Sequence, residues 1–317
     1  MIIANPIYDT VFKHLMENTR IARYFVETII DQPVESIIFR PQEYTWFKPI
    51  PDNASESISD EFKKLELLSI MRYDFLCIIR TPEGYKKVLI EIQKAKNAID
   101  LMRFRNYLGE QYQRKDRIVS GEKEREEPLP IITIYLLGFK LPETDAVAIH
   151  VSRTYRDVIT QTELHVKSDF IECLTHDSYI VQIPRIEGKT RSRLEKMLNI
   201  FEQNNFFDEN GIIKQFRHEV DDDNIRLMLE TLYHVGADPE KRKEIEIEWR
   251  SYELWQSEIV SRNEKIAEQK KVIEESKKTI EENKKAIEDE RIKRENAEDN
   301  IKSLLIRIAE LEQQNKQ

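Results

Sequence analysis

The fold is decided by the stretch MRYDFLCIIRTPEGYKKVLIEIQKAK, residues 71–96. Two apolar segments rich in β-branched residues flank a Thr-Pro-Glu-Gly turn, which is the pattern of a β-hairpin. Three polar residues interrupt the apolar strands: Asp74 in the first, and Glu91 and Gln93 in the second. A carboxylate in a buried strand is costly unless a cation or hydrogen bonds compensate it, so these residues indicate a chemical role.

Strand parity brings the three polar residues to one face of the hairpin. Residues two apart in a strand point the same way, so Glu91 and Gln93 share a face. A loop that pairs Arg80 with Tyr85 puts Asp74 opposite Glu91, and a two-residue Glu-Gly loop puts it opposite Gln93. A three-residue loop breaks this parity unless a β-bulge restores it.

The two carboxylates predict a Mg²⁺ site, because facing carboxylates repel each other unless a positive charge neutralises them. Mg²⁺ binds one or two carboxylates together with water and phosphate oxygens, and the backbone carbonyl of Ile92 is a further oxygen ligand there. Such an ion polarises a phosphodiester and activates an attacking water, which Gln93 could position but not deprotonate. The alternative is a hairpin with one solvent-facing side, but Leu76, Ile78 and Leu89 share the polar faces.

Apolar patterns along the first 245 residues predict a mixed α/β fold, in which helices flank a sheet. The run IITIYLLGF (131–139) is apolar throughout, which is typical of a central strand covered on both faces. Helices are predicted at 6–30, 98–117, 191–204 and 222–235, further strands near 146–151, 164–166 and 179–183, and exposed connections at 49–60 and 121–130.

A different pattern occupies residues 259–317. Isoleucine recurs at every seventh position from Ile259 to Ile308, with Arg294 in the single gap. A seven-residue apolar repeat is typical of a left-handed coiled coil, so we expect a homo-oligomer formed through this segment. The companion core positions are polar until Ala297, which leaves a single, loosely packed charged helix as the alternative.

The composition of the chain limits which classes of protein it can belong to. The net charge is −9, and residues 259–317 carry 14 basic and 14 acidic side chains, so the negative excess lies in the rest of the chain. Nucleic acid would therefore need a local basic patch. The two cysteines are too few for a disulfide framework or a zinc site. There is neither an apolar run of membrane-spanning length nor an export-signal pattern, so we expect a cytoplasmic protein without membrane contact.

The polar residues of the hairpin resemble a known motif. Asp74, the turn and Glu91-Ile92-Gln93 are similar to the PD-(D/E)XK nuclease superfamily, in which an Asp and an (Asp/Glu)-x-Lys pair on adjacent strands bind Mg²⁺ and cut DNA. Residues 9–13, DTVFK, resemble the Asp-x-x-Phe-Lys opening of its transposase-related, Rpn-like branch. In this branch the helix after the motif often carries a Gln or Arg and a Tyr one turn apart. Arg103 and Tyr107 have the same spacing here. The resemblance covers residues 5–140 well, is looser to about 240, and excludes the tail.

This resemblance implies a restriction-endonuclease-like fold and roles for individual residues. The implied catalytic residues are Asp74, Glu91, Gln93, Asp9 and Lys13. Asp74, Glu91 and the Ile92 carbonyl would hold Mg²⁺, while Gln93 stands where the usual Lys stabilises charge on the phosphate. For Asp9, an N-cap of the first helix is an equal alternative, and for Lys13 the alternative is a solvated helix lysine.

Basic residues on the helix predicted at 98–117 give a candidate DNA-binding surface. The residues of this surface are Arg103, Arg105, Tyr107, Arg114 and Lys115. Cationic side chains of this kind contact phosphates, while an exposed helix with ordinary charges is the alternative. Further lysines add to the positive zone: Lys86, Lys87, Lys94 and Lys96.

The sequence thus predicts a nuclease-like domain over residues 1–245, with core motifs at 5–140, and a helical coiled coil over 246–317. The resemblance implies a Mg²⁺-dependent endonuclease that hydrolyses DNA, with the coil bringing two active sites together, and it leaves a link to transposition or recombination open. Because Gln93 replaces the usual Lys, the alternative is a catalytically inactive protein of this fold that serves as an oligomeric nucleic-acid-binding or scaffold protein. RNA is a further alternative substrate.

Overall fold

The structure is a computed structural model that describes residues 1–39, 75–94, 98–120 and 123–314. The polar insertion predicted at 49–60 lies outside these ranges. The described strands are β1 (Ile2–Ala4), β2 (Ser36–Phe39), β3 (Phe75–Thr81), β4 (Gly84–Gln93), β5 (Asp116–Ser120), β6 (Lys123–Glu127), β7 (Ile131–Leu137), β8 (Ala148–Val151), β9 (Tyr155–Arg156), β10 (Glu163–Leu164), β11 (His176–Gln182) and β12 (Ile213–Gln215). The described α-helices are α1 (Asp9–Glu17), α2 (Thr19–Ile30), α3 (Ala98–Gln113), α4 (Asp169–Leu174), α5 (Arg193–Leu198), α6 (Asp223–Ala237) and α7 (Pro239–Gln314).

A mixed sheet forms the centre of the fold. Within the described ranges it has six strands in the order β2-β3-β4-β7-β11-β8. Strand β7 runs parallel to both β4 and β11, whereas β2, β3 and β8 pair antiparallel with their neighbours. The prediction that the apolar run at 131–139 is a central strand is confirmed, because β7 lies between β4 and β11. The predicted α/β class is likewise confirmed.

The β3–β4 hairpin has the first of the two predicted registers. Arg80 pairs with Tyr85, and Thr81 with Gly84 closes the ladder. Gly84 has a φ of 124°, a backbone conformation that side chains with a Cβ rarely adopt. The Thr81 hydroxyl donates to the Gly84 carbonyl at 3.2 Å, which fixes the turn. From this turn the two strands pair without interruption as far as Phe75, which lies opposite Ile90.

The two faces of the sheet have separate hydrophobic cores. On one face, α1, α2 and α6 pack against a large core that includes Val88, Ile90 and Ile92 of β4. On the other face, α3 contributes Phe104 and Leu108 to a smaller core with β3, β4 and β7. Alternate residues of β4 therefore face different helices, and burial on both faces explains the continuous apolar run at residues 88–90 of this strand.

The helix predicted at 6–30 is two helices that meet at Asn18. The Asn18 side chain accepts hydrogen bonds from the amides of Arg20 at 3.0 Å and Ile21 at 3.3 Å, and so caps α2. An N-cap of this kind begins a new helix because it satisfies amides that lack an intrahelical partner. The change of apolar stripe after Asn18 is the sequence signal of this break.

The prediction of an exposed connection at 121–130 is wrong in part. Residues 123–127 form β6, which pairs antiparallel with β5, so the helix predicted to residue 117 ends at Gln113. The Arg117 guanidinium donates to the Glu124 carboxylate at 2.6 Å across the two strands. Ile118 of β5 is buried in a small cluster with Ile78 and Leu129. The cross-strand ion pair and the buried isoleucine stabilise strands whose charged sequence has low β-propensity.

The chain divides into two compact units, Met1–Tyr252 and Glu253–Gln317. The first unit extends beyond residue 245, the predicted end of the nuclease-like domain, because Trp249 packs against the main core. The second unit is the long C-terminal part of α7. No helix within the described ranges is both long enough and apolar enough to cross a membrane.

Candidate functional site

The carboxyl ends of β4 and β7 form one edge of the sheet, and this edge carries the candidate site. The Gly138 amide donates to the Gln93 carbonyl at 2.8 Å, which joins the two strand ends. A Cβ at Gly138 would lie 2.6 Å from the Lys94 carbonyl oxygen, closer than atoms approach without a shift. Ligands of open α/β sheets bind at the carboxyl ends of parallel strands, so this edge is where a site is expected.

Glu91 is a buried carboxylate near the end of β4. It is only 3% exposed, and it lies beside Tyr135 of β7 in the strand register. Burial, followed by the negative charge of Glu91, raises the pKa of the Tyr135 hydroxyl, while a hydrogen bond with Thr133 lowers it. The Tyr135 ring packs against Phe104 of α3, with ring centroids 4.5 Å apart. Glu91 therefore belongs to the face of the sheet that α3 covers.

The other predicted metal ligands have different environments. Asp74 lies outside the described residues, directly before β3. Ile92 is 5% exposed, and its side chain packs into the main core on the face opposite Glu91. Gln93 is half-buried at the end of β4, on the same face as Glu91 by strand parity.

Asp9 lies at the start of α1, but it is not the N-cap of that helix. The cap position is Tyr8, whose side chain makes no capping hydrogen bond. Instead, the carboxylate of Glu248, from α7, accepts from the Asp9 amide at 2.8 Å and the Thr10 amide at 2.9 Å. A carboxylate at this position satisfies two helix-terminal amides and interacts favourably with the helix dipole. The capping alternative for Asp9 is therefore wrong.

The same Glu248 carboxylate holds Lys94, the residue that follows β4 and Gln93. Lys94 Nζ lies 2.5 Å from Glu248 Oε1 and 3.9 Å from Asp9 Oδ1. It also lies over the Tyr8 ring, 4.7 Å from the centroid, within the range of a cation–π interaction. The ammonium group is thus fixed between α1 and α7 at the candidate edge.

Electrostatics favour the ionised form of Glu248. Burial alone would raise the pKa of this carboxyl, but the charge of Lys94 and hydrogen bonds from Lys94 and the amides of Thr10 and Asp9 lower it below its ordinary value. The charged carboxylate is the form that the two amides and the ammonium group bind. Glu248 is therefore a structural anion that joins α7 to α1 and to the end of β4.

The sequence did not indicate Glu248, and it gave Lys94 no role in the site. Glu248 is 154 residues from Lys94 along the chain, and no motif surrounds it. By strand parity Lys94 lies on the face opposite Glu91, together with Ile90 and Ile92. Its link to Asp9 arises because α1 packs on that other face.

The predicted catalytic residues that the structure describes thus fall on two faces of β4. Glu91 and Gln93 share the α3 face, whereas Asp9 lies beside Lys94 on the α1 face. Lys13 is half-buried one turn after Asp9 on α1. The sheet edge is common to both groups, because Gln93 and Lys94 are consecutive residues.

The predicted DNA-binding residues on α3 also differ in exposure. Tyr107 is 2% exposed and belongs to the small core with Phe104 and Leu108, so its ring does not face solvent as a contact with nucleic acid requires. Arg105 and Lys115 are exposed. Arg114 forms an ion pair with Glu110 at 2.8 Å. Arg103 lies in α3, but its side chain is outside the described part.

Ion pairs neutralise much of the positive zone expected around the hairpin. Lys87 is 1% exposed, and its Nζ lies 2.6 Å from Asp116 Oδ2. Lys86 pairs with Glu83 at 2.7 Å. The expectation that these lysines add to a DNA-binding surface is therefore wrong for Lys87, since its charge is buried and paired. Lys96 lies outside the described residues.

Among the residues that the structure describes, no three His, Cys, Asp or Glu side chains are grouped so that they could hold a metal ion. Of the two carboxylates predicted to bind the metal, Glu91 lies within the described ranges and Asp74 lies outside them.

No protein-family model, curated protein or solved structure matches this chain. Its function is therefore inferred from its own residues.

Proposed function

We propose that this protein is a Mg²⁺-dependent endonuclease that hydrolyses DNA phosphodiester bonds at the edge formed by β3, β4 and β7. The β3–β4 register is the observation that carries the proposal. With Arg80 opposite Tyr85, the last described pair is Phe75 with Ile90. This is the register for which the sequence predicts that Asp74 faces Glu91, as a shared metal ion requires.

The burial of Glu91 supports the same reading. Glu91 is 3% exposed near the carboxyl end of β4, at the position that the motif assigns to a metal ligand. Mg²⁺ bound by Asp74, Glu91 and the Ile92 carbonyl would polarise the phosphate and lower the pKa of a bound water. The mixed sheet flanked by helices is compatible with the restriction-endonuclease-like fold that the motif implies.

The remaining residues have supporting roles in this proposal. Gln93 orients the attacking water through its amide but carries no charge. Asp9 and Lys13 would contribute through the start of α1, which Glu248 holds at the sheet edge. Arg103, Arg105, Arg114 and Lys115 would contact DNA phosphates around α3. Tyr107 is left out of the contact surface because its side chain is buried.

We further propose that residues 259–317 form a homo-oligomeric coiled coil. The described isoleucines of the heptad repeat between 266 and 308 are 49–67% exposed on the single chain. A regular row of exposed β-branched side chains is unfavourable in water, and pairing with another helix would bury it. Such pairing would bring two nuclease sites together, so that each could cut one strand of a duplex.

Cleavage of supercoiled plasmid with Mg²⁺ tests the enzymatic proposal. We expect nicked or linear product from the unmodified protein, and at least about a 10–100-fold lower rate for Asp74→Asn and Glu91→Gln, which remove a metal-binding charge with little change of shape. Glu163→Gln is the matched control, since Glu163 is an exposed carboxylate on β10. Circular dichroism of each variant separates loss of chemistry from loss of folding.

The outcomes distinguish the candidate functions. Cleavage that survives both substitutions would show that the chemistry lies elsewhere. Absence of cleavage with Mg²⁺ and with Mn²⁺, in a protein that still self-associates, would favour the catalytically inactive scaffold. The exposed isoleucine row is the observation that favours this second candidate, because it serves association without any chemistry. A parallel assay on single-stranded RNA decides between the two nucleic acids.

A further inference from the structure

We propose that α7 pairs with a second copy of this chain in parallel orientation, and that two lines of opposite charge beside the isoleucine row dictate this orientation. The inference rests on the self-association proposed above and adds the number and direction of the helices. The heptads from Ile266 to Arg291 form the paired segment, and every residue in them is exposed on the single chain.

The contact stripe consists of three adjacent lines of residues. The first line is the isoleucine row, with Ile273 and Ile280 at its centre. The residue preceding each of these is also small or apolar, Val272 and Thr279. Between the two lines lies a polar line that includes Asn283. On a helix with 3.6 residues per turn these lines span about 120°, so together they form one face.

Charges of opposite sign border the two sides of this stripe. Four residues after each isoleucine, next to the isoleucine row, every position is basic: Lys270, Lys277, Lys284 and Arg291. Two residues after each isoleucine, beyond the other border, every position is acidic: Glu268, Glu275, Glu282 and Asp289. Each line lies about 100° from the centre of the stripe, where long side chains reach a partner helix.

Symmetry then selects the orientation. In a parallel pair related by a twofold axis, the basic border of one helix faces the acidic border of the other along the whole segment. In an antiparallel pair of the same segments, basic faces basic and acidic faces acidic. Flanking charges of this kind set partner choice and direction in coiled coils. A twofold pair is the smallest closed assembly in which both borders of each helix meet a border of opposite charge.

Disulfide crosslinking of the full chain tests the direction. Ile266→Cys and Ile308→Cys are made separately with Cys173→Ser, while the buried Cys77 is kept. The two positions are roughly 60 Å apart along the helix. A parallel pair brings each cysteine beside its own counterpart, so both variants should crosslink with themselves. In an antiparallel pair of these heptads the two copies of each cysteine lie far apart, so neither variant would crosslink with itself.

Charge reversal tests the cause. We expect that changing Lys270, Lys277 and Lys284 to Glu weakens self-association at least about tenfold, and that mixing this variant with one in which Glu275, Glu282 and Asp289 are Lys restores it. The matched control changes Lys271, Lys278 and Lys285 to Glu, which alters the net charge equally on the outer face. Equal weakening by both triple variants would overturn the role of the borders.

Light scattering measures the mass of the assembly, and so distinguishes a wrong helix direction from a failure to self-associate. A mass near the single-chain 37.9 kDa at high concentration would contradict self-association itself. A mass about twice that value without self-crosslinking at either end would retain self-association and overturn the parallel direction. Neither outcome bears on cleavage, which is measured separately.

Discussion

At the scale of single residues, Glu248 joins three segments that are distant in sequence. We predict that Glu248→Gln lowers the free energy of unfolding by about 1–3 kcal/mol at neutral pH, because an amide cannot replace the carboxylate that binds Lys94 and two helix amides. Urea unfolding measures the loss. Glu246→Gln, an exposed residue on the same helix, is the control and should change stability by less than about 0.5 kcal/mol.

The pH dependence of this effect has a definite sign. The pKa of Glu248 is lowered in the folded protein, so its contribution is present above its ordinary, unfolded pKa and is lost as the pH falls through the folded value. The difference between wild type and Glu248→Gln should therefore shrink in acid. A difference that stays constant from neutral pH down to about pH 3 would contradict the assignment of Glu248 as a structural anion.

Lys214 also makes stability rise with pH, but in a higher pH range. It is 2% exposed in β12 and donates to the backbone carbonyl of Glu202, and burial lowers its pKa to about 7 while the charge of Glu202 raises it. Between about pH 7 and pH 10 the unfolded chain holds a proton that the folded chain lacks, so stability rises with pH. Wild type should gain stability relative to Lys214→Met across this window, measured by denaturant unfolding. A flat difference would show that Lys214 stays charged when folded.

At the scale of secondary-structure elements, the contact between the ends of β4 and β7 is the tightest part of the candidate edge. Gly138→Ala puts a Cβ 2.6 Å from the Lys94 carbonyl, so the strand ends must separate. We predict a loss of about 1–3 kcal/mol in unfolding free energy and reduced cleavage. Gly109→Ala in α3 meets no atom within 4 Å and should be neutral or stabilising by up to about 1 kcal/mol. Equal effects of the two substitutions would contradict this close approach.

Local patterns predicted some elements and missed others for identifiable reasons. Strand β7 and the β3–β4 hairpin follow from apolar runs and turn chemistry, which act over a few residues, whereas the sequence left two registers of the hairpin open. Strand β6 was missed because KEREE has low β-propensity, and its pairing depends on cross-strand contacts such as Arg117 with Glu124. Tyr107 was assigned to the DNA surface, but its helical spacing from Phe104 puts both rings in one core.

At the scale of the whole molecule, the sequence predicts a heptad-repeat helix at the C-terminus from its periodicity, and the structure has the helix α7 there. Periodicity does not predict that the first unit extends to Tyr252. That boundary depends on Glu248 and Trp249, whose partners are distant in sequence. Contacts of this kind carry no local signal, so the candidate site was only partly predictable: its strand residues were, and its α7 contribution was not.

The central claim is that Asp74 and Glu91 share a divalent ion, and Mn²⁺ binding tests it most directly, because it requires neither a substrate nor turnover. Titration calorimetry or electron paramagnetic resonance should detect Mn²⁺ bound by the full chain and by Glu163→Gln. Asp74→Asn and Glu91→Gln should each weaken this binding by at least about 10–100-fold while the fold is retained. Undiminished Mn²⁺ binding by both variants would contradict the shared site.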